Sequence, residues 1–434
     1  MSYSGHQSRP IVFGTNGMAS TGSPLATLTA IRVLERGGNA IDAAVAASAV
    51  LCVIDPASSG VGGEVFYTYF DSKTGQLDSL AGSGRSPRSA TSDKFSNGVP
   101  AYGPLSPTVP GIVQGWEDVL KRHGTRSLSA LLEPAIEYAR NGFPVPVRLA
   151  QAFRRKDRFL SECEAAKECY QLRGEWPVAG QVLKLLDLAD SLEAIAKEGA
   201  TTFYRGDLSR RILSGLDAAG GLLDSKDFSD YVSAFASPLT VQYRDYEVAV
   251  PELPTMGAVL LQQLALLEEL SPSVPEWNSA TWQHLLIEIK KASFADLDTY
   301  LTDPSFSPRE ATQFLSEAYI KARAKAISSE KAALYEPGNL SAGLRNTVSL
   351  AVADRDGNVF SWIQSVFSEF GSCWMAPKTG ILLNNRMFGF SSTKGHVNVI
   401  EPSKRTAHTL HCPIVLKQKR PILALSTPGV SVVR

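Results

Sequence analysis

The chain has 434 residues, with 43 basic and 43 acidic side chains and a formal charge of zero. That balance removes any electrostatic reason to expect a nucleic acid or an anionic membrane surface as partner. Five cysteines, Cys52, Cys163, Cys169, Cys373 and Cys412, make no disulfide framework and fit a reducing compartment. The start of the chain carries no apolar secretory stretch. The longest apolar run, Ile41 to Ile54, contains Asp42 and is too short to span a bilayer. An intracellular, cytoplasmic protein with no membrane partner is expected, with core enough for two or three domains or one large α/β unit.

Taken in order, Leu25, Leu28, Ile31 and Leu34 recur at helical spacing, and Gly37-Gly38 ends that helix. Asn39 caps a second helix with Asp42 in its first turn. The body of that helix is almost all small residues, so it packs closely against backbone. Gly60-Val-Gly62-Gly63 follows and lacks any phosphate-loop pattern, so close packing explains its glycines better than an anion does. Val65 to Phe70 alternates as a strand, with a turn at Ser72 to Gly75. Ala81-Gly-Ser83-Gly-Arg85-Ser-Pro-Arg88 is a stiff loop presenting two arginines, a shape suited to carboxylates or to a solvated surface turn.

Helices are expected from Val109 and over Ser127 to Arg140, then through most of the stretch from Leu149 to Leu213. Strands follow at Leu239 to Val248, a tight turn at Pro251 to Gly257, and helices over Gly257 to Leu270 and Trp282 to Tyr300. The polar stretch from Ala332 to Leu344 reads as an exposed linker, where a chain break is best tolerated. Beyond it lie two alternating runs joined at Asp356-Gly357, a strong hairpin signal. Val348, Leu350 and Val352 make one apolar face of the first run. Thr347, Ser349, Ala351 and Ala353 make a small, hydroxylated face on the other side. Cut before Thr347, this strand would begin with a threonine whose own amine is a nearby base for its hydroxyl.

Several segments resemble the gamma-glutamyltranspeptidases. They are Gly37 to Val45, Gly60 to Gly63, Val109-Pro-Gly111, Pro134 to Phe143, Phe203 to Gly206 and Asp303-Pro304. The likeness continues with Asp356-Gly-Asn358, Phe370-Gly-Ser372 and Pro377 to Asn385, so it runs over nearly the whole chain in the family's order. It implies an α/β fold of the N-terminal nucleophile type, a four-layer αββα sandwich. It also implies a proenzyme that cuts itself between Asn346 and Thr347. The pieces would be a large-subunit region, 1–346, and an apparently truncated small-subunit region, 347–434, together forming one unit.

On that resemblance Thr347 is the nucleophile and Ser365 the hydroxyl that supports it. The backbone N–H groups of Gly429 and Val430 form the oxyanion hole. Asn384-Asn385 fall in the strand lining the pocket, and His408-Thr409 stand where the family has paired serines. The amino-acid clamp departs from the pattern. Its arginine aligns near Ser83 with Arg85 displaced, its aspartate falls at Gly389, and Phe367 replaces a substrate-binding asparagine. Val348 replaces the second threonine of a Thr-Thr pair. The implied partners are a gamma-glutamyl or related acyl amide and the two fragments of the chain itself, with no cofactor.

Three readings stay open: a transferase or glutathione hydrolase, a cephalosporin-acylase-like amidase, and a silent or truncated paralogue that keeps the fold for binding. The family continues past the position of Arg434, so an exposed sheet edge is expected near the C-terminus. His408, His411 and Cys412 lack zinc spacing and a fourth ligand, so no metal is expected. Cys373 has no paired histidine and reads as a packed thiol.

Overall fold

The computed structural model describes residues 11–425 apart from 272, 274, 275, 307–312 and 336–345. Strand β1 (Gly17–Thr21) leads into helices α1 (Pro24–Glu35) and α2 (Ala40–Ile54), and strands β2 (Glu64–Asp71) and β3 (Gln76–Gly82) form a hairpin. Then come α3 (Ile112–His123), α4 (Leu128–Asn141), β4 (Phe143–Pro144), α5 (Val147–Leu160), α6 (Glu164–Tyr170) and β5 (Val182–Leu183). Helices α7 (Leu186–Glu198), α8 (Ala200–Tyr204), α9 (Asp207–Ala218) and α10 (Ser225–Ser229) precede β6 (Ala234–Ala236), β7 (Leu239–Tyr243) and β8 (Tyr246–Val250). Helices α11 (Gly257–Leu270), α12 (Ala280–Tyr300) and α13 (Glu317–Ala324) lead to the hairpin β9 (Asn346–Asp354) and β10 (Val359–Phe367). Strands β11 (Met375–Ala376), β12 (Ile381–Leu382), β13 (Ile414–Lys417) and β14 (Arg420–Ala424) complete the described chain.

Two sheets dominate, in the orders β1-β9-β10-β2-β3-β6 and β14-β13-β8-β7. Alternation along the strands decides what each face covers. Val348, Leu350 and Val352 of β9, Phe360 and Trp362 of β10, and Val65 and Tyr67 of β2 bury themselves with α1, α2, α4 and α7 in one core. The opposite face of that sheet meets the second sheet. Phe66, Ile363, Leu410 and Cys412 pack together there, as do Phe70, Ala249, Ile414 and Leu416. Beyond the second sheet, Val248 and Val250 pack on Leu261 of α11, and α11 packs with α12 and α13. The layers therefore run helix, sheet, sheet, helix.

The apolar run becomes α2, buried from Ala40 to Ile54. Asn39 accepts from the Asp42 N–H while the Asp42 carboxylate accepts from the Asn39 N–H. The same carboxylate receives the backbone N–H groups of Thr125 and Arg126. Asp354, at the end of β9, organises the hairpin turn by accepting from Asp356 and Asn358, and its other oxygen accepts from Ala40 N at the start of α2. One side chain thus ties the sheet to the buried helix. From β10, Gln364 reaches Ser48 and Ser59 on the α2 side and accepts from Trp362 Nε1.

The glycines after α2 are there for close approach. A Cβ on Gly62 would lie 2.3 Å from the Leu382 carbonyl oxygen, and one on Gly63 would lie 2.7 Å from that of Ser365. Strand β14 stands at one end of the second sheet's order, with Ile422 and Leu423 54% and 51% exposed. No helix among the described residues is long and apolar enough to cross a membrane.

Candidate active site

Strand register builds the site. In the six-stranded sheet, Val348 lies opposite Gln364 and Ser365 lies opposite Glu64. Thr347, Ser365 and Glu64 therefore project from three neighbouring strands onto the face that meets the second sheet. Thr347 Oγ1 donates to Ser365 Oγ at 3.3 Å, with Thr347 only 5% exposed. Strand β1 pairs with β9 only from Leu350 to Asp354, so Thr347 lies beyond its end.

The end of β10 is distorted at this point. A register shift falls between Gln364 and Phe367, and Phe367 has φ of 81°. A left-handed backbone is uncommon for an aromatic residue. It is held here by the Phe367 N–H donating to Ser365 Oγ at 2.8 Å. The twist lays the Phe367 ring beneath the Arg386 guanidinium, whose Cζ is 4.1 Å from the ring centre.

Arg386 and Glu64 form an ion pair shut away from solvent, both with fully buried side chains. Arg386 Nε donates to Glu64 Oε2 at 2.6 Å, and Thr108 Oγ1 donates to Glu64 Oε1 at 3.3 Å. His408 Nδ1 lies 3.6 Å from Glu64 Oε2, and its ring sits 4.8 Å from that of Phe66. Burial pushes the Glu64 carboxyl up, against the pull of Arg386. Burial likewise pulls the Arg386 guanidinium down, against the pull of Glu64. The sequence reading missed this pair. The available signal was an arginine directly after Asn384-Asn385, which has no obvious surface role.

The residues expected to hold substrate divide into several groups. Arg85 has protein partners, since its Nη1 donates to Asp303 Oδ2 at 2.8 Å and to the Ser403 carbonyl at 2.7 Å. Asp303 also accepts from Arg405 N, so this contact stitches three loops together. Ser83 is fully buried; its hydroxyl has no partner among the described residues, and its carbonyl accepts from Arg405 Nε at 3.2 Å. Arg88 pairs with Asp224 and Asp227.

Asn384 and Asn385 follow β12 rather than lying in it, and both amides are engaged. Asn384 bonds to Thr108, Gly62 and Arg386, while Asn385 bonds to Ala101 and Ser368. His408 is buried on a segment bound by backbone to Pro254 and Met256, and Thr409 is half-buried beside it. Gly389 lies close to Phe367, whose Cζ would be 3.7 Å from a Cβ built on the glycine. Gly429, Val430 and the side chain of Asn346 lie outside the described residues.

Cys373 is buried and its thiol is pushed up to about 12, chiefly by burial. It therefore stays protonated and packs as an apolar side chain. Among the described residues no group of three His, Cys, Asp or Glu side chains gathers to hold a metal ion.

Comparison with known proteins bears on the family and the fold. The family model for gamma-glutamyltranspeptidase matches residues 26–433. A glutathione hydrolase-like YwrD proenzyme from Bacillus subtilis is 38% identical over 421 residues, covering 96% of this chain and 79% of that one. The crystal structure of a cephalosporin acylase from Bacillus halodurans superposes with a TM-score of 0.90 at 35% identity, over 98% of this chain and 79% of that one. The gamma-glutamyltranspeptidase of Helicobacter pylori gives a TM-score of 0.70 at 28% identity, over 76% of this chain and 97% of that one. The layer order is the αββα sandwich of the N-terminal nucleophile hydrolases. On the family match, the identity to relatives and the shared fold, this chain belongs to the gamma-glutamyltranspeptidase family.

Proposed function

We propose that the chain is a self-processing amidohydrolase or acyltransferase, with Thr347 as nucleophile and a gamma-glutamyl or related acyl amide as donor. In the uncut chain the nitrogen of Thr347 belongs to a peptide bond. Attack of its hydroxyl on the Asn346 carbonyl breaks that C–N bond and leaves an ester, which water hydrolyses. The products are fragments 1–346 and 347–434, and the second carries a free amine beside the hydroxyl.

In turnover that amine takes the hydroxyl proton as Oγ1 adds to the donor carbonyl. The tetrahedral intermediate then expels the amine product, which receives the proton. Water or an acceptor amine resolves the acyl-enzyme, giving the free acid or a new amide. Ser365 orients the nucleophile. The N–H groups of Gly429 and Val430 are assigned to the developing oxyanion, a role that backbone donors fill whatever their side chains.

The observation that carries this reading is the Thr347–Ser365 hydrogen bond on the face between the sheets. Intact-mass analysis of the purified protein is expected to show two fragments, the smaller beginning at Thr347. Hydrolysis of an acyl anilide should accompany the cut and vanish in Thr347→Ala. A folded protein that remains a single chain and hydrolyses nothing sinks the reading and leaves a silent paralogue.

A further inference from the structure

We propose that Phe367 is a positioning residue for the candidate nucleophile: held left-handed by its stack on Arg386, it fixes the direction from which Ser365 Oγ accepts Thr347. The proposal deepens the acyl-transfer reading above and rests on it for the identity of the reaction.

The two hairpin strands do not match residue for residue beside Thr347. Gln364 pairs with Val348 and Phe367 with Asn346, so Thr347 stands opposite both Ser365 and Val366. Two residues facing one make a β-bulge, which breaks the ladder locally and re-aims a side chain. The backbone groups released by the bulge find other partners. Val366 N–H donates to the Ser58 carbonyl at 3.3 Å, and the Val366 carbonyl accepts from the Asn385 N–H at 3.2 Å. The bulge closes at Phe367, with φ of 81°, directly across from the residue that precedes Thr347.

A bulky residue in the left-handed region is strained, and such strain persists only where the surroundings over-determine it. Two contacts do so here. The Phe367 N–H donates to Ser365 Oγ at 2.8 Å, and the Phe367 ring lies 4.1 Å beneath Arg386 Cζ. Arg386 is itself anchored, its Nε donating to Glu64 at 2.6 Å with both side chains fully buried. Arg386 Nη1 and Nη2 have no hydrogen-bond partner among the described residues, and the electron-rich ring face offsets part of that. Breaking the stack would therefore cost the cation as well as the ring.

The consequence falls on Ser365. A hydroxyl oxygen carries two acceptor lone pairs in a fixed relation to each other. The Phe367 N–H takes one, which sets where the other points, and Thr347 Oγ1 donates to that same oxygen at 3.3 Å. Without the Phe367 N–H, the Ser365 side chain can turn among its rotamers and Thr347 loses a fixed acceptor. The family resemblance puts a substrate-binding asparagine at this position. Here the aromatic residue is 2% exposed and turned onto Arg386, so it acts through Ser365 and not on substrate.

The test measures kcat and KM of the full chain with gamma-glutamyl-p-nitroanilide and glutaryl-p-nitroanilide, each rate normalised to the cleaved fraction read by intact mass. Phe367→Leu keeps the N–H and removes the ring. Its kcat should fall about 10-fold with KM within about twofold of wild type, since the residue touches no substrate. In a Ser365→Ala background the same substitution should cost less than about twofold, because the oxygen it acts through is already gone. Equal losses in the two backgrounds overturn the proposal, as does a loss carried by KM. Arg386→Lys keeps a buried cation beside Glu64 but removes the flat stack. It should show a smaller kcat loss with the same dependence on Ser365, and it decides the matter if Phe367→Leu fails to fold.

Amide hydrogen exchange resolved at Phe367 gives a readout independent of turnover. That N–H should be protected in the wild type and should exchange at least about tenfold faster in Arg386→Lys. Unchanged protection overturns the proposal. If the wild type hydrolyses neither anilide, the acyl-transfer reading fails, while exchange at Phe367 still decides whether the Arg386 stack holds this N–H on Ser365.

Discussion

Thr347 and Ser365 meet across adjacent strands, the threonine Oγ1 donating to the serine Oγ at 3.3 Å while that same oxygen accepts from the Phe367 N–H. One hydroxyl thus orients the candidate nucleophile and stabilises a left-handed residue. Ser365→Ala removes both contacts. Steady-state rates should fall by about 10- to 100-fold, the scale of losing one or two hydrogen bonds at a reacting centre. Ser365→Thr keeps the acceptor and should retain more activity than the alanine variant. Equal rates for wild type and Ser365→Ala would remove Ser365 from the site.

Arg85 is joined to Asp303 across a contact in which the arginine side chain is 36% exposed and the aspartate 1%. Solvent screening limits what the pair contributes. Arg85→Met should therefore lower stability by about 1 kcal/mol or less, read from the urea midpoint, with little change in KM for acyl anilides. A large, selective rise in KM would restore Arg85 as a substrate ligand.

Asp354 should matter for stability far from any chemistry. It accepts from Asp356, Asn358 and Ala40, joining the β9–β10 turn to the first turn of α2. Asp354→Ala leaves several N–H groups without their acceptor and should cost about 2–3 kcal/mol, measured by denaturant unfolding of the processed protein.

Gly62 is packed against the carbonyl of Leu382, with only 2.3 Å available to an added Cβ. Gly62→Ala should destabilise by about 1–3 kcal/mol and slow turnover, since this loop also holds Asn384 beside Arg386. Wild-type stability in this variant would mean that the backbone yields more easily than the contact implies.

Cys373, with its thiol pushed up to about 12 by burial, has only ~10⁻⁴ of its population as thiolate at pH 8. Iodoacetamide at that pH should leave native Cys373 unmodified and activity intact. Labelling should appear only on unfolding. Rapid loss of activity with alkylation of Cys373 would reopen a thiol mechanism.

Much of this architecture is legible in the chain. Period-2 alternation identifies the β9–β10 hairpin and its Asp356-Gly357 turn. Helical periodicity and the Asn39 cap identify α1 and α2, and the run of small residues foretells the close packing of α2. These features are local: each depends on neighbours a few residues away. The short strands β1, β6, β11 and β12 escape such reading, because each is defined by its partner strand and not by its own pattern.

The site divides along the same line. Strand alternation places Thr347 at the head of β9, and the family resemblance adds Ser365 and an altered amino-acid clamp. Only the tertiary structure decides which acceptors each arginine meets. Arg85 and Arg386 are equivalent as letters, but the first finds Asp303 and the Ser403 carbonyl. The second is buried with half its fork unmatched beside Glu64. A guanidinium's role depends on which acceptors surround it. Those acceptors lie some 220 to 320 positions away in the chain, where no local pattern reaches.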